Sequence, residues 1–285
     1  MPRRDRVRAV AVDDDAWWPG RTVRSVGLRD LVYGVYERRL AFDLSIAGQR
    51  APETVPRHVG LIMDGNRRWA RGAGVDTRQG HRRGGDKVAD VVRWSSDAGV
   101  EVVTLWLLST DNLSRASNEL HTIFEVIEQI CADLSEADAP WVVRPVGALD
   151  LLPDSTSRAL KEAQASTAGK SGLVVNVAVG YGGRREITDA VRSLLTAAAD
   201  RGASLQEVAA TLDMDVIAEH LYTSGQPDPD LVIRTSGEQR LGGFLLWQSA
   251  HSEFYFCDAY WPDFRRVDFL RALRAFAARQ RRFGT

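Results

Sequence analysis

Short apolar runs alternate with amphipathic stretches along most of the chain. Runs such as 100–108 and 173–179 are apolar on both faces and end at turn residues, which is typical of buried strands. The stretches between them repeat apolar residues at helical spacing. This pattern predicts strands at 58–63, 100–108, 141–146, 173–179, 230–234 and 254–257, and helices at 119–137, 153–166, 184–199 and 267–283. Such an alternation favours an α/β fold with a mostly parallel central sheet covered by helices on both faces.

A single domain at 58–285 is the simplest division of the chain, preceded at 1–57 by a mobile tail and an amphipathic helix. Residues 1–25 mix arginine, aspartate and tryptophan without a period. Residues 27–47 place apolar side chains near helical spacing, and residues 48–56 have the composition of a linker. The helix could pack on the body of the protein, or its exposed aromatic residues could contact a membrane surface.

The composition is that of an ordinary globular protein, with 44% apolar and 26% charged residues. A net charge of −1 gives no general attraction for nucleic acid, and no strand interleaves aromatic and basic residues, so we expect no nucleic-acid partner. Cys131 and Cys257 are too few for a disulfide scaffold, which favours a reducing, cytoplasmic compartment. No apolar run approaches the roughly 18 residues of a membrane span, and we find no signal peptide.

Polar residues of one chemical kind follow four of the predicted strands. The four clusters are 64–68, 109–115, 180–185 and 234–240. Because the carboxyl ends of parallel strands form a ligand-binding edge, we expect these clusters to meet. Arginine binds phosphate oxygens through paired hydrogen bonds, and glycine turns let backbone N–H groups approach an anion. The clusters therefore predict a ligand with two or more phosphate groups, with Asp64 or Glu253 available for a divalent ion.

Several familiar enzyme motifs are absent from the sequence. There is no Gly-x-x-x-x-Gly-Lys-Ser/Thr loop, no Gly-x-Gly-x-x-Gly after a strand, and no Ser or Cys in a nucleophile elbow. These absences argue against P-loop, dinucleotide-binding and nucleophile-elbow enzymes. A metal-dependent phosphohydrolase stays open, although its attacking water would need a base and usually more carboxylates near the metal.

A set of motifs resembles one known family. The motifs are His58–Trp69, Gly80-His81, Ser109–Leu113, Gly180–Arg184, Asp230–Arg240, Phe244–Gln248, Trp261-Pro262 and Arg282–Gly284. In this collinear order, over roughly residues 55–285, they resemble the cis-prenyltransferases, the undecaprenyl diphosphate synthase family. The helical lead-in and the Ser-Thr-Asp-Asn-Leu form are most similar to the short-chain branch, the Z-farnesyl diphosphate synthases.

The resemblance implies a magnesium-dependent condensation of an allylic diphosphate with isopentenyl diphosphate. It implies that Asp64 holds Mg²⁺ and that Glu253 completes the metal site. Asn112 matches the proton acceptor, but because an amide is a poor base we expect it to orient or relay while a diphosphate oxygen takes the proton. The implied substrate-binding residues are Gly65, Asn66, Arg67, Arg68, Trp69, Thr77, His81, Ser109, Thr110, Asp111, Leu113, Arg115, Arg234, Arg240, Leu241 and Gly242. A homodimer is also implied, since Arg282–Gly284 resembles a tail that reaches the partner's site.

Three positions depart from the family pattern. Thr77, followed by Arg78, stands where the family often has an arginine. Gly242 stands where a serine often binds isopentenyl diphosphate, so only its backbone N–H could help. Leu113 replaces the tryptophan of long-chain members.

Leu107 is the candidate determinant of product length. The growing chain must lie in an apolar tunnel whose wall is strand 100–108 and the helix after it. Each added isoprene buries five carbons, which stabilises the bound chain by about 4 kcal/mol at ~0.8 kcal/mol per carbon. In a closed tunnel this stabilisation is lost, and overpacking costs a further ~1–3 kcal/mol. The resemblance places leucine here in short-chain enzymes and a small residue in long-chain ones. We therefore expect a C15 product, (2Z,6E)-farnesyl diphosphate, from geranyl diphosphate. A long-chain polyprenyl synthase, a non-catalytic partner subunit and a purely structural Leu107 are the alternatives.

Overall fold

The computed structural model describes residues 28–279, so the predictions for 1–25 and for Arg282–Gly284 lie outside the described residues. Six strands form one sheet: β1 His58–Ile62, β2 Val102–Ser109, β3 Val142–Val146, β4 Val174–Tyr181, β5 Leu231–Arg234 and β6 Glu253–Phe256. Their order is β3-β4-β2-β1-β5-β6, and every neighbouring pair is parallel. The predicted mostly parallel α/β fold is confirmed, and each strand begins and ends within two residues of its predicted bounds.

Helices connect the strands and cover the sheet. Within the described range they are α1 Leu28–Arg50, α2 Asn66–Ala73, α3 Thr77–Asp97, α4 Ser117–Leu134, α5 Asp154–Thr167, α6 Gly183–Asp200, α7 Leu205–Thr211, α8 Met214–Ala218 and α9 Arg266–Ala277. The sequence pattern predicts α1, α4, α5, α6 and α9, whereas α2, α3, α7 and α8 lack an individual prediction. In α3 the glycines at 80, 84 and 85 weaken the helical signal because glycine is a poor helix former.

The core lies on both faces of the sheet. Alternating side chains such as Leu61 and Leu105 join a large cluster beneath α3, α4, α5 and α9. The other face carries a smaller cluster around Ile62 and Phe244. Because β1 is buried along its whole length, its carboxyl end delivers the following residues from a rigid support.

Helix α1 packs against α9, as one of the two predicted alternatives proposes. Leu40 is buried, and the Arg265 guanidinium lies 4.7 Å above the ring centre of Tyr33. The side chains of Val35 and Phe42 stay exposed, so a membrane contact remains a prediction. The helix continues to Arg50 and a 3₁₀ turn follows at Pro52–Thr54, so the predicted linker is shorter than expected. None of the helices in residues 28–279 has the length and apolarity needed to cross a membrane.

Candidate active site

A cavity of about 480 Å³ opens where β1, β2 and β5 end. Its lining residues are Ile62, Met63, Asp64, Gly65, Asn66, Arg67, Arg68, Arg71, His81, Trp106, Leu107, Ser109, Asn112, Arg115, Ile123, Arg234 and Gly242. Twelve residues of this set are candidates from the sequence. The cavity therefore lies at the carboxyl edge of the sheet, where ligands of open α/β folds bind.

The amino end of α2 forms one wall of the cavity. Gly65 precedes the helix with φ +111°, and a Cβ there would lie 2.8 Å from the Tyr260 ring. The glycine is thus required both by its backbone conformation and by the close approach of Tyr260. Because the first hydrogen bond of the turn runs from Trp69 N–H to Gly65 C=O, at 2.8 Å, the preceding N–H groups are available to an anion.

Helix α3 approaches α2 closely through two glycines. A Cβ on Gly80 would collide with the carbonyl oxygen of Asn66, and one on Gly84 would lie 2.5 Å from Asn66 Oδ1. That Oδ1 atom is buried without a hydrogen-bond partner in the described structure. Close packing here fixes both the start of α2 and the neighbouring His81.

Asp64 lies between two arginines. Arg68 Nη2 donates to Oδ1 at 3.0 Å, and Arg234 Nη2 donates to Oδ2 at 2.8 Å. Partial burial acts to raise the pKa of Asp64, but the hydrogen bonds from Arg234 and Arg68 outweigh it and hold the pKa below its usual value. Thr235 fixes the backbone of Asp64 by accepting its N–H at 2.9 Å. The carboxylate is therefore ionised and directed into the cavity edge by fixed neighbours.

Two further carboxylates pair with four arginines at and beside the site. Glu238 accepts from Arg68 Nη1 at 3.0 Å and pairs with Arg240. Glu119 accepts from Arg115 at 3.0 Å, and its Oε1 lies 3.0 Å from His81 Nε2 and 3.7 Å from Arg67 Nε.

Burial controls the protonation of His81. Its removal from water lowers the pKa of the imidazole below its usual value, and the neighbouring Glu119 only partly offsets this. A neutral His81 carries one N–H, and Nε2 donates it to the Glu119 carboxylate, so the ring adds no charge to the cavity.

Part of the cavity wall is apolar. Leu107 and Ile123 line it. Ile123 belongs to the core cluster that also contains the buried Leu105, Val88 and Ile127, and Leu107 packs against that cluster. The register between β2 and β4 shifts at Leu107, which has no strand partner opposite it. Such irregularities redirect side chains next to ligand sites.

Eight sequence candidates do not line the cavity: Trp69, Thr77, Thr110, Asp111, Leu113, Arg240, Leu241 and Glu253. Leu113 packs on the main core, Leu241 on the smaller cluster, and Asp111 is exposed. Thr77 begins α3 beside Asp76, which accepts from the N–H of Arg78 at 2.8 Å.

Glu253 does not lie beside Asp64, as the predicted metal site requires. It starts β6 opposite Leu231, at the amino end of the sheet, and pairs with Arg279. Asp64 lies at the carboxyl edge, on the order of 15 Å away along the strand direction at ~3.3 Å per residue. One chain therefore does not bring the two carboxylates together.

The donor set nevertheless fits a Mg²⁺ ion shared with a substrate. Among residues 28–279 no group of three His, Cys, Asp or Glu side chains could hold a metal alone. Mg²⁺ is commonly bound through one or two carboxylates together with substrate phosphates. Asp64, at the rim of a cationic cavity, supplies one carboxylate of this kind.

Sequence reasoning did not select five cavity residues: Ile62, Met63, Arg71, Trp106 and Ile123. Arg71 had a signal in the sequence, since it belongs to the basic stretch between Arg57 and Lys87. The carboxylates Glu119 and Glu238 were also not selected, because their contacts with Arg67 and Arg68 join residues that only the fold brings together.

Comparisons with known proteins show the family of the chain. A family model described as putative undecaprenyl diphosphate synthase matches residues 62–284. The chain belongs to the undecaprenyl diphosphate synthase family. It is similar to the (2Z,6E)-farnesyl diphosphate synthase of Thermobifida fusca, at 60% identity over 90% of this chain and 98% of that one. It is also similar to isoprenyl transferase 1 of Streptomyces avermitilis, at 55% identity over 90% of this chain and 97% of that one.

A solved structure of this family shares the fold. It is lavandulyl diphosphate synthase from Lavandula x intermedia in complex with dimethylallyl diphosphate, with a TM-score of 0.76 and 32% identity over 82% of this chain and 100% of that one. The protein is therefore an enzyme that transfers prenyl groups, and the predicted family resemblance is confirmed.

Proposed function

We propose that this prenyltransferase condenses geranyl diphosphate with isopentenyl diphosphate to give (2Z,6E)-farnesyl diphosphate and diphosphate. One observation carries the proposal: a cationic wall suited to diphosphate and apolar side chains that include Leu107 and Ile123 meet in one cavity of about 480 Å³. The similar synthase of Thermobifida fusca carries the name of this product, which supports the short-chain assignment.

The allylic diphosphate would bind at the start of α2. The N–H groups after Gly65 and the side chains of Arg67 and Arg68 would donate hydrogen bonds to its oxygens, and His81, held by Glu119, would border it on the neighbouring helix. When the allylic C1–O bond breaks, its electron pair passes to the diphosphate, so these fixed donors stabilise the developing charge.

Isopentenyl diphosphate would bind on the β5 side, against Ser109, Arg234 and the backbone of Gly242. Its terminal double-bond carbon forms the new bond to allylic C1, which leaves a positive charge on the other double-bond carbon. A proton then leaves from the methylene next to that charged carbon. Arg240 is exposed and pairs with Glu238, so it would have to turn inward to join this site.

Asp64 would hold Mg²⁺ together with the substrate phosphates. The ion, when bound, neutralises charge on the departing diphosphate. Asn112 lines the cavity, and its N–H is fixed by Ser109 Oγ at 3.1 Å, so the residue is positioned to orient a substrate while a diphosphate oxygen accepts the proton.

The deciding experiment is a product assay with magnesium, labelled isopentenyl diphosphate and, separately, dimethylallyl, geranyl and E,E-farnesyl diphosphate. A C15 product from geranyl diphosphate is expected. Products of C50 or longer would keep the family and refute the proposed length, and no product with any primer would favour a non-catalytic partner subunit. Free phosphate released without isopentenyl diphosphate would indicate a phosphohydrolase.

Leu107→Ala tests the apolar wall of the cavity. Removing the side chain opens space beside Ile123, so we expect products longer than C15. Leu149→Ala is a matched control, because Leu149 packs on the core and does not line the cavity. Unchanged C15 output from Leu107→Ala would exclude Leu107 as the determinant.

We further infer a cytoplasmic homodimer with peripheral membrane contact through α1. The family resemblance supports the dimer, and exposed Val35 and Phe42 support the contact. Light scattering measures the mass, and vesicle flotation with and without Phe42→Ser measures the contact. A monomeric mass would refute the homodimer, and flotation that is unaffected by Phe42→Ser would refute the membrane contact.

A further inference from the structure

Arg71 is unusual among the cations that line the cavity. Arg67, Arg115 and His81 share Glu119, and Arg68 and Arg234 share Asp64. Arg71 lines the same cavity, yet no carboxylate of the described residues lies within ion-pairing distance of its guanidinium. Its charge is therefore available to a ligand without displacing an existing partner.

The position of Arg71 on α2 sets where that charge lies. It occupies the last turn of the helix, four residues after Arg67, so both side chains project from the same face. At 1.5 Å per residue its Cα lies about 7.5 Å along the axis from Asn66, where the anion-binding turn begins. Arg71 therefore lies beyond the N–H groups of the first turn of α2, toward the exposed side of the proposed diphosphate site.

Arg67 lies 3.7 Å from Glu119, but no carboxylate of the described residues pairs with both Arg67 and Arg71. Like charges four residues apart on a helix repel each other, and an anion bound between them converts this repulsion into attraction. A diphosphate held at the start of α2 would supply such an anion.

We propose that Arg71 binds the outer phosphate of the allylic diphosphate, the phosphate farther from C1, and holds it as it departs. The inference rests on the proposed allylic site at the start of α2. The guanidinium can donate two parallel hydrogen bonds to phosphate oxygens. Cleavage of the C1–O bond leaves its electron pair on the diphosphate, so Arg71 stabilises both the bound substrate and the leaving group.

The test compares the full-length protein with Arg71→Ala, Arg71→Lys and the control Arg83→Ala. Arg83 lies on α3, is exposed, and neither lines the cavity nor forms an ion pair in the described structure. The dissociation constant of inorganic diphosphate is measured by calorimetry, and KM is measured for geranyl and isopentenyl diphosphate separately. Melting temperatures confirm that each variant folds.

For Arg71→Ala we expect diphosphate to bind about 10- to 100-fold more weakly, since one charge-assisted contact is lost. KM for geranyl diphosphate should rise by a similar factor while KM for isopentenyl diphosphate stays within about twofold. Arg71→Lys should recover part of the affinity, and Arg83→Ala should match the wild type.

Equal effects of Arg71→Ala and Arg83→Ala on diphosphate binding would overturn the role of Arg71 and leave the proposed function intact. A rise confined to KM for isopentenyl diphosphate would overturn the assignment to the allylic site. Failure of the wild-type protein to bind diphosphate at all would instead overturn the proposed function and the inference with it.

Discussion

Strand β1 carries polar groups at both ends, and the two ends behave differently. At its start, His58 Nδ1 donates to the Pro227 carbonyl at 2.7 Å and Nε2 accepts from Thr104 at 2.8 Å. Asn176 donates to the same hydroxyl and exchanges two hydrogen bonds with Gln226. The side chains of this start network are uncharged and satisfy one another, while the Asp230 carboxylate accepts the backbone N–H of His58 at 3.1 Å.

At the other end, Asp64, Arg68, Arg234 and Glu238 form a charged chain that is partly open to water. Each ion pair there can be exchanged for a contact with a charged substrate. The comparison teaches that buried uncharged side chains and one carboxylate, Asp230, fix the start of the strand, whereas its other end presents exchangeable charges. Substitutions at Asp64, His58 and Glu238 test this division, and Glu186→Gln adds a buried carboxylate away from β1 for comparison.

Asp64→Asn should have the largest effect. The amide keeps the shape but loses the charge that would hold Mg²⁺ and orient Arg68, so kcat/KM should fall by about 10²- to 10³-fold. Steady-state kinetics at saturating magnesium measures the change. Asp133→Asn, on the exposed face of α4, is the control. Activity within threefold of wild type would mean that Asp64 is dispensable.

The pH dependence of stability should reveal His58. Burial lowers its pKa from 6.5 to about 4, so the unfolded chain binds a proton that the folded protein excludes. Stability present above pH 6.5 is therefore lost as the pH falls to about 4, by roughly 3 kcal/mol at 1.36 per pKa unit.

Urea titrations between pH 7 and pH 4 measure this loss. Between pH 7 and pH 4 the free energy of unfolding should fall less for His58→Gln than for the wild type, by roughly 3 kcal/mol. His121→Gln, at a side chain 77% exposed, should follow the wild type. Parallel curves for His58→Gln and the wild type would contradict the assignment.

Glu186→Gln should have an intermediate effect on folding. The carboxylate accepts from the Tyr181 hydroxyl at 2.5 Å, from the Tyr222 N–H at 3.0 Å and from Gln248 at 3.0 Å. A glutamine leaves one of these donors unpaired in the core, at a cost of about 1–3 kcal/mol in the free energy of unfolding. Chemical denaturation measures it, and a change below ~0.5 kcal/mol would show that the network rearranges.

Glu238→Gln should have the smallest effect on stability, within about 1 kcal/mol, because its ion pairs are partly exposed. The variant should nevertheless bind inorganic diphosphate more tightly, since Arg68 and Arg240 lose a competing carboxylate. Glu125→Gln, which removes a partner of Arg82 outside the cavity, is the matched control. Weaker binding by Glu238→Gln would mean that Glu238 orients the arginines rather than competing for them.

The sheet and most of its ligand edge were predictable from the sequence. Buried strands have a continuous apolar signal, and Asp64, Ser109 and Arg234 follow such strands directly. Glu253 directly precedes the predicted strand 254–257, so in a parallel sheet it belongs at the amino end; its assignment to the metal site did not follow from the strand pattern. The partnership of Glu119 with His81 was not predictable, since it depends on the packing of α3 against α4.

Gly80 lies at neither end of β1, yet it sets the position of the amino end of α2, which forms one wall of the cavity. Any side chain there would displace the backbone of Asn66 and carry the first turn of α2 with it. A deep mutational scan scored by catalytic output should therefore rank this glycine with the residues that touch the reactants. The positions that tolerate no substitution would then form a region wider than the cavity, and this region would extend into the interface between α2 and α3.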